Sequence, residues 1–175
     1  MNDILTDNPK FLWYQSLLEA KNLTKVDTSD ELDSYIILLL LSSDHNVLLS
    51  KDPLGVLYLK SQQAFNNNTS LLRNVADSCL ILSGFYPENA IARNVSPDYF
   101  ANIGVASYFQ LSEVCFQNGR GASLYCSLAC SYYELVKILF CIRLLSDKEN
   151  LNHKECLYCA CNGLYDEVYQ IVKNY

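Results

Sequence analysis

Four polar side chains flank a turn between two predicted helices. Together these side chains could bind a small polar ligand or transfer protons. They are Arg73, Asp77, Asp98 and Tyr99. Arg73 and Asp77 are four residues apart and therefore share one face of a helix. Asp98 and Tyr99 lie in the first turn of the next helix and approach the first pair if the turn folds back. Such groups suit polar recognition or acid–base work. They also form ordinary ion pairs between helices, and the sequence favours this structural role.

A second group of residues, in the segment NHKECLYCAC, contains side chains that can bind zinc: His153, Cys156 and Cys159. A zinc site needs four nitrogen or sulfur ligands that converge as a tetrahedron, and a CxxC pair supplies two of them. The chain has no second CxxC pair, and Cys161 falls on a different helix face from Cys159. The sequence therefore predicts no metal, and we expect no cofactor.

Sequence motifs of known enzyme classes are absent. The chain contains no GxSxG, P-loop, GxGxxG or HExxH pattern. Its eight cysteines follow no recognisable export signal, so we expect reduced thiols in the core, where a free cysteine behaves as a small hydrophobe. No catalytic residue is predicted, and the sequence favours a protein that is not an enzyme.

Composition and charge exclude several other classes of protein. Half of the 175 residues are apolar and 18% are charged, which is typical of one globular domain with a real core. The net charge is −6, and the 13 lysines and arginines are scattered, which argues against a nucleic-acid partner. The longest apolar run, residues 35–41, is far shorter than the roughly 20 residues that span a bilayer. With no signal peptide at the N-terminus, we expect a cytoplasmic protein without a transmembrane segment.

The spacing of apolar residues predicts an all-α bundle of six or seven helices in a single domain, residues 1–175. Residues 1–28 would include a peripheral N-terminal helix, and residues 147–175 would form a C-terminal helical appendage. The predicted helices are 9–22, 31–44, 53–65, 71–83, 97–117, 122–146 and 153–175, the last of which could break near Gly163, with a short helical piece after Pro87.

Particular residues are expected to set the ends and contacts of the central helices. Gly84 ends one helix because it can adopt a positive φ. Ser96 offers its hydroxyl as N-cap of the next helix, with Pro97 in the first helical position. The small residues Gly104 and Ser107 in that helix would let another helix approach closely.

The helix predicted at 122–146 has the clearest periodicity in the chain. Its apolar residues are spaced by four, three, four and three, the pattern of a bundle seam: Leu128, Tyr132, Leu135, Leu139 and Ile142. The segment that starts at Ser123 also aligns without a gap on the one that starts at Cys156, at an offset of 33 residues. That offset is the ankyrin period. Two partial copies cannot form a stable array, so we interpret the match as chance.

The central helix–turn–helix resembles a known family. ADSCLILSGFYPE followed by NVSPDYFANIGVASY is similar to a functionally uncharacterised bacterial family with an SGFF-type helix end and then a YY…G…AY helix. The resemblance extends over residues 32–143. Alanine stands at position 76 where that family usually has glycine. The resemblance implies an all-helical fold and supplies no catalytic residues.

Two functional hypotheses follow. The first is a non-enzymatic protein-interaction or regulatory module, with a protein partner or a homodimer, because residues 35–41 are apolar on nearly all faces and ten tyrosines follow from Tyr86 onward. The second is a small-ligand binder or enzyme that uses a polar pocket around residues 73–99. The first predicts an exposed apolar patch, and the second predicts a concave pocket with convergent polar groups.

Overall fold

The computed structural model describes residues 8–42, 52–63, 69–119, 123–147 and 163–175. Within these ranges 85% of residues are helical, no strand occurs, and nine helices pack as a single compact body. The helices are α1 (Pro9–Thr24), α2 (Asp30–Ser42), α3 (Leu54–Gln63), α4 (Thr69–Gly84), α5 (Glu88–Ala92), α6 (Pro97–Gln117), α7 (Ser123–Cys130), α8 (Tyr132–Ser146) and α9 (Gly163–Asn174).

Helix α4 lies at the centre of the fold and packs against α3, α6 and α8. One side of it joins the main core, to which every helix except α3 and α5 contributes buried residues. Its other side joins a smaller core with α3, α5 and α6, formed by Leu54, Val75, Cys79, Leu82, Ala90 and Phe100. The all-α prediction is therefore confirmed, and the described residues hold nine helices rather than six or seven.

The helix predicted at 122–146 is divided at Ser131, whose ψ of 14° departs from the helical value. Helix α7 packs mainly on α6, whereas α8 packs on α1, α4 and α9, so the bend lets the two halves meet different neighbours. The five seam residues named above are all at most 1% exposed, which confirms the predicted seam. The prediction of one continuous helix was wrong.

Two glycines allow close helix contacts, one as predicted and one for a different reason. A Cβ on Gly104 would lie 2.5 Å from Cζ of Tyr132, so the expected close approach at this position is confirmed. Gly84 ends α4 but does not have a positive φ. Its missing side chain instead makes room for Leu139, whose Cβ would lie 2.6 Å from an added Cβ.

The helix starts also differ in detail from the predictions. Ser96 precedes α6 and Pro97 is its first residue, but the Ser96 hydroxyl makes no capping hydrogen bond. The backbone oxygen of Ser96 instead accepts from the amide of Tyr99 at 3.0 Å. The side chain of Asn8, which the sequence did not single out, caps α1 by accepting from the amide of Lys10.

The apolar segment 35–41 sits centrally in the fold. Tyr35, Ile36, Ile37, Leu39 and Leu40 are all buried within the chain itself, Leu41 is partly buried, and Leu38, 60% exposed, faces outward. This segment therefore offers no broad surface to a partner. Among the described residues, no helix is long and apolar enough to cross a membrane.

Both terminal helices belong to the core. Helix α1 packs on α8 and buries Leu17 and Ala20. Helix α9 also packs on α8, where it buries two tyrosines and two valines: Tyr165, Val168, Tyr169 and Val172. The second segment of the 33-residue alignment begins at Cys156, and its first part lies outside the described residues.

Substituting alanine at three helical glycines tests these contacts. Gly104→Ala and Gly84→Ala should each destabilise the protein by about 1–3 kcal/mol, because the new methyl group collides with Tyr132 or Leu139. Gly163→Ala is the matched control, since no described residue lies within 4 Å of its added Cβ and alanine favours helix. Urea unfolding measures all three. Equal effects at the three positions would contradict the packing described here.

Candidate functional site

A buried carboxylate on α4 connects three helices. Oδ1 of Asp77 accepts a hydrogen bond from the hydroxyl of Tyr35 on α2 at 2.6 Å and from that of Tyr108 on α6 at 2.7 Å. The two tyrosine rings pack edge to face, with centroids 6.4 Å apart. Tyr108 is fully buried and the Asp77 side chain is only 14% exposed. We call Asp77, Tyr35 and Tyr108 the carboxylate node.

Arg73 lies one turn before Asp77 on α4, and its positive charge balances the charge of the Asp77 carboxylate. Its Nε lies 3.6 Å from Oδ2 of Asp77, within range of an ion pair but too long for a strong hydrogen bond. Its guanidinium also stands over the ring of Tyr35, 5.5 Å from the centroid, where a cation–π attraction holds it. The Arg73 side chain remains 52% exposed, so part of the guanidinium faces outward.

The environment of the node shifts the titration of its members. Burial raises the pKa of Asp77 above its ordinary value, and the hydrogen bonds from Tyr35 and Tyr108 and the charge of Arg73 offset only part of that rise. Burial and the neighbouring Asp77 charge raise the pKa of both phenols. The two tyrosines therefore stay protonated and act as hydrogen-bond donors at neutral pH.

A cavity of about 590 Å³ opens beside the node, between the ends of α2, α4, α6 and α7. Its polar lining consists of hydroxyls, amides and the two charged groups of α4, and its apolar lining comes mainly from α6. The lining residues are Ser42, Thr69, Ser70, Arg73, Asn74, Asp77, Leu111, Val114, Cys115, Asn118 and Tyr125. This volume is in the range of small-molecule sites.

The four residues singled out in the sequence are not all in one place. Arg73 and Asp77 line the 590 Å³ cavity, whereas Tyr99 lines a different cavity of about 360 Å³ together with Asp52 and Arg93. The hydroxyl of Tyr99 is in contact with Gly55 of α3. Tyr99 also precedes Tyr108 by nine residues, or about 13 Å along α6. Asp98 lines neither of these two cavities.

Three tyrosines of this region were missed by sequence reasoning: Tyr35, Tyr108 and Tyr125. Tyr35 and Tyr108 are 42 and 31 residues from Asp77, so no local spacing connects them to it. Tyr125 stacks on Tyr108 with ring centroids 6.4 Å apart. The only signal is general: a buried phenol needs an acceptor, and a mid-helix aspartate within an apolar segment needs donors.

The residues of the metal and thiol predictions lie partly inside and partly outside the described ranges. His153, Cys156 and Cys159 lie outside the described residues. Within the ranges that the structure describes, no three His, Cys, Asp or Glu side chains are grouped to hold a metal ion. Cys79 and Cys141 are free and buried, as expected, and burial raises the pKa of each thiol to about 12. Cys126 and Cys130 on α7 are free but exposed, contrary to the expectation of core thiols.

Comparisons with family models, with curated proteins and with solved structures gave no match. The resemblance to the SGFF-type family therefore stays a prediction. What is shown is an all-helical protein with no recognised family.

The node predicts a specific dependence of stability on pH. Because burial raises the pKa of Asp77, the folded chain holds this proton at a higher pH than the unfolded chain does. Between the ordinary carboxyl pKa of about 3.9 and the raised value, the Asp77 contribution to the unfolding free energy should fall as pH rises. Asp77→Asn cannot titrate but still offers an oxygen to both phenols.

Urea unfolding of the wild type and of Asp77→Asn, from about pH 4 to about pH 7, isolates this contribution. The wild type should lose stability relative to the variant as pH rises. The opposite trend would mean that the folded protein lowers the pKa of Asp77, which would contradict the assignment.

Proposed function

We propose that this protein is a non-enzymatic interaction module that self-associates through the outer face of α6. The observation that carries the proposal is the exposure of two phenylalanines, Phe109 at 51% and Phe116 at 78%. They are seven residues apart, or two helical turns, so both point to the same side of α6. We call this surface, with the two grooves beside it, the α6 face.

The first groove of the α6 face lies between α3 and α6. It is about 460 Å³ and includes Tyr58, Val105 and Phe109 in its lining. Gln62 and Gln110 bridge the two helices with reciprocal amide hydrogen bonds. Leu59 of α3 is 59% exposed, which adds apolar surface from this helix.

The second groove lies between α6 and α7. It is about 410 Å³ and is lined by Ser112, Glu113, Phe116, Gln117, Ser123 and Cys126. Glu113 borders both grooves, so the two are neighbours along α6. Each groove can receive a side chain, and each has an exposed phenylalanine at its edge. A surface with both features can fit a copy of itself.

The charge of the α6 face also favours a second copy as the partner. The chain carries a net charge of −6, so two copies repel each other over most of their surfaces. Among the described residues that line the two grooves, Glu113 alone is charged. Protein interfaces share this pattern, because their centres are poor in charge and rich in aromatic residues.

An antiparallel pairing of two α6 helices suits the arrangement of the α6 face. A two-fold axis near Phe109 would place Phe116 of each copy over the first turns of the partner helix, near Asn102. Tyr133, 44% exposed, lies beside Asn102 with their side-chain oxygens 3.5 Å apart, and offers an aromatic surface there.

The size of the α6 face is close to what a stable dimer requires. Helix α6 has 21 residues and is about 30 Å long. The neighbouring helices lie about 10 Å away on each side, so the face is about 20 Å wide and has an area of about 600 Å². A standard interface buries about 800 Å² per partner.

The test is the oligomeric state of three chains, measured by sedimentation equilibrium. The wild type should have twice the 19.9 kDa chain mass at about 100 µM. This concentration is above the micromolar Kd of the weaker complexes with interfaces of standard size. Phe116→Glu should be monomeric, because it places two like charges in the interface. Leu38→Glu, at a comparably exposed position on α2, should remain a dimer.

Two outcomes would contradict the proposal. One is a wild-type monomer at this concentration. The other is a dimer that Phe116→Glu leaves intact, which would place the interface elsewhere.

A further inference from the structure

We propose that the 590 Å³ cavity beside the carboxylate node binds a small zwitterion of the α-amino-acid type. This site is separate from the α6 face, and its lining belongs to a single chain. The class of ligand follows from the charges at the cavity wall, from the uneven distribution of polar and apolar lining, and from the way the charged groups are held.

The charged groups of the cavity are opposite in sign and close together. Oδ2 of Asp77 and Nε of Arg73 are 3.6 Å apart, and both side chains line the cavity. Oδ1 of Asp77 already accepts from two phenols, whereas in the described part of the chain Oδ2 has only this long ion pair. Oδ2 can therefore accept from a ligand ammonium, while the half-exposed guanidinium binds a carboxylate with two parallel hydrogen bonds.

This pairing selects against ligands that carry only one charge. A simple anion attracted by Arg73 would also meet the negative Asp77, and a simple cation at Asp77 would meet the positive Arg73. An α-amino acid carries its ammonium and carboxylate on the same carbon, Cα. Its two charges are therefore close enough to reach both groups at once.

The rest of the lining indicates the shape of the ligand. Hydroxyls and amides on the α4 side, from Thr69, Ser70 and Asn74, can bind the polar end. Leu111, Val114 and the ring of Tyr125 form an apolar wall. An amino acid with an apolar side chain fits this division, with its charged end toward α4 and its side chain toward α6 and α7.

The binding groups are held in place by contacts within the chain. The two phenols orient the Asp77 carboxylate, and the Tyr35 ring lies 5.5 Å from the Arg73 guanidinium. A ligand therefore does not have to order these side chains when it binds, which preserves more of its binding energy.

Isothermal titration calorimetry of the full chain tests this inference. L-leucine is the first probe, followed by the other apolar L-amino acids. Isoamylamine and isocaproate are matched controls, because they are leucine without its carboxylate and without its ammonium. At least one apolar amino acid should bind, and its two single-charge analogues should bind at least about tenfold more weakly, the effect of losing one charge-assisted hydrogen bond.

The variant Arg73→Gln connects the binding to this cavity. It should weaken binding at least about tenfold. Its thermal unfolding should remain cooperative, because Asp77 keeps the two hydrogen bonds from Tyr35 and Tyr108. Lys60→Gln is the matched control: it removes the exposed Lys60–Asp52 ion pair outside this cavity and should leave binding unchanged.

Three results would overturn the inference. The first is no measurable binding of any apolar amino acid by a folded wild-type protein. The second is equal binding of the amine or the acid alone, which would mean that one charge suffices. The third is unchanged binding in Arg73→Gln, which would place the ligand elsewhere.

Discussion

The two hydrogen bonds that the Asp77 carboxylate accepts are the constraint on which the rest of this structure depends. A carboxylate buried in an apolar bundle loses the solvation of its charge, which is costly unless donors replace the water. Tyr35 and Tyr108 provide these donors from α2 and α6, and both donate to the same oxygen, Oδ1. The relative positions of three helices are therefore set by one side chain, because any shift of α2 or α6 would leave a phenol or the carboxylate without its partner.

The same constraint determines which side of α6 faces outward. Tyr108 must point toward α4, and Gly104, one turn earlier, lies against Tyr132 of α8. With the inner face of α6 fixed in this way, Phe109 and Phe116 are left on the outer face. The proposed interface and the proposed ligand cavity thus have a common origin: α6 contributes aromatic side chains to the first and an apolar wall to the second.

Local sequence signals predicted the helices well, whereas the candidate site depended on contacts that no local signal contains. Periodicity predicted α6 at its observed bounds and the buried seam that runs through α7 and α8. It missed the bend at Ser131, because the apolar spacing continues through that residue while the packing partners change. The Arg73–Asp77 pair was visible as a four-residue spacing. Its tyrosine partners are distant in sequence and came together only through packing.

The central claim is that Asp77 is the acceptor for the buried phenol of Tyr108, and a double-mutant cycle with Tyr108→Phe and Asp77→Ala tests it most directly. In the wild type, Tyr108→Phe should cost about 1.5–3 kcal/mol of unfolding free energy, as expected for a hydrogen bond to a charged group. In the Asp77→Ala background, the same change should cost nothing or stabilise, because it removes a hydroxyl that has lost its acceptor. Tyr132→Phe is the control, since its hydroxyl is also fully buried but makes no bond to Asp77, so this change should cost the same in both backgrounds. An equal cost of Tyr108→Phe in both backgrounds would contradict this account.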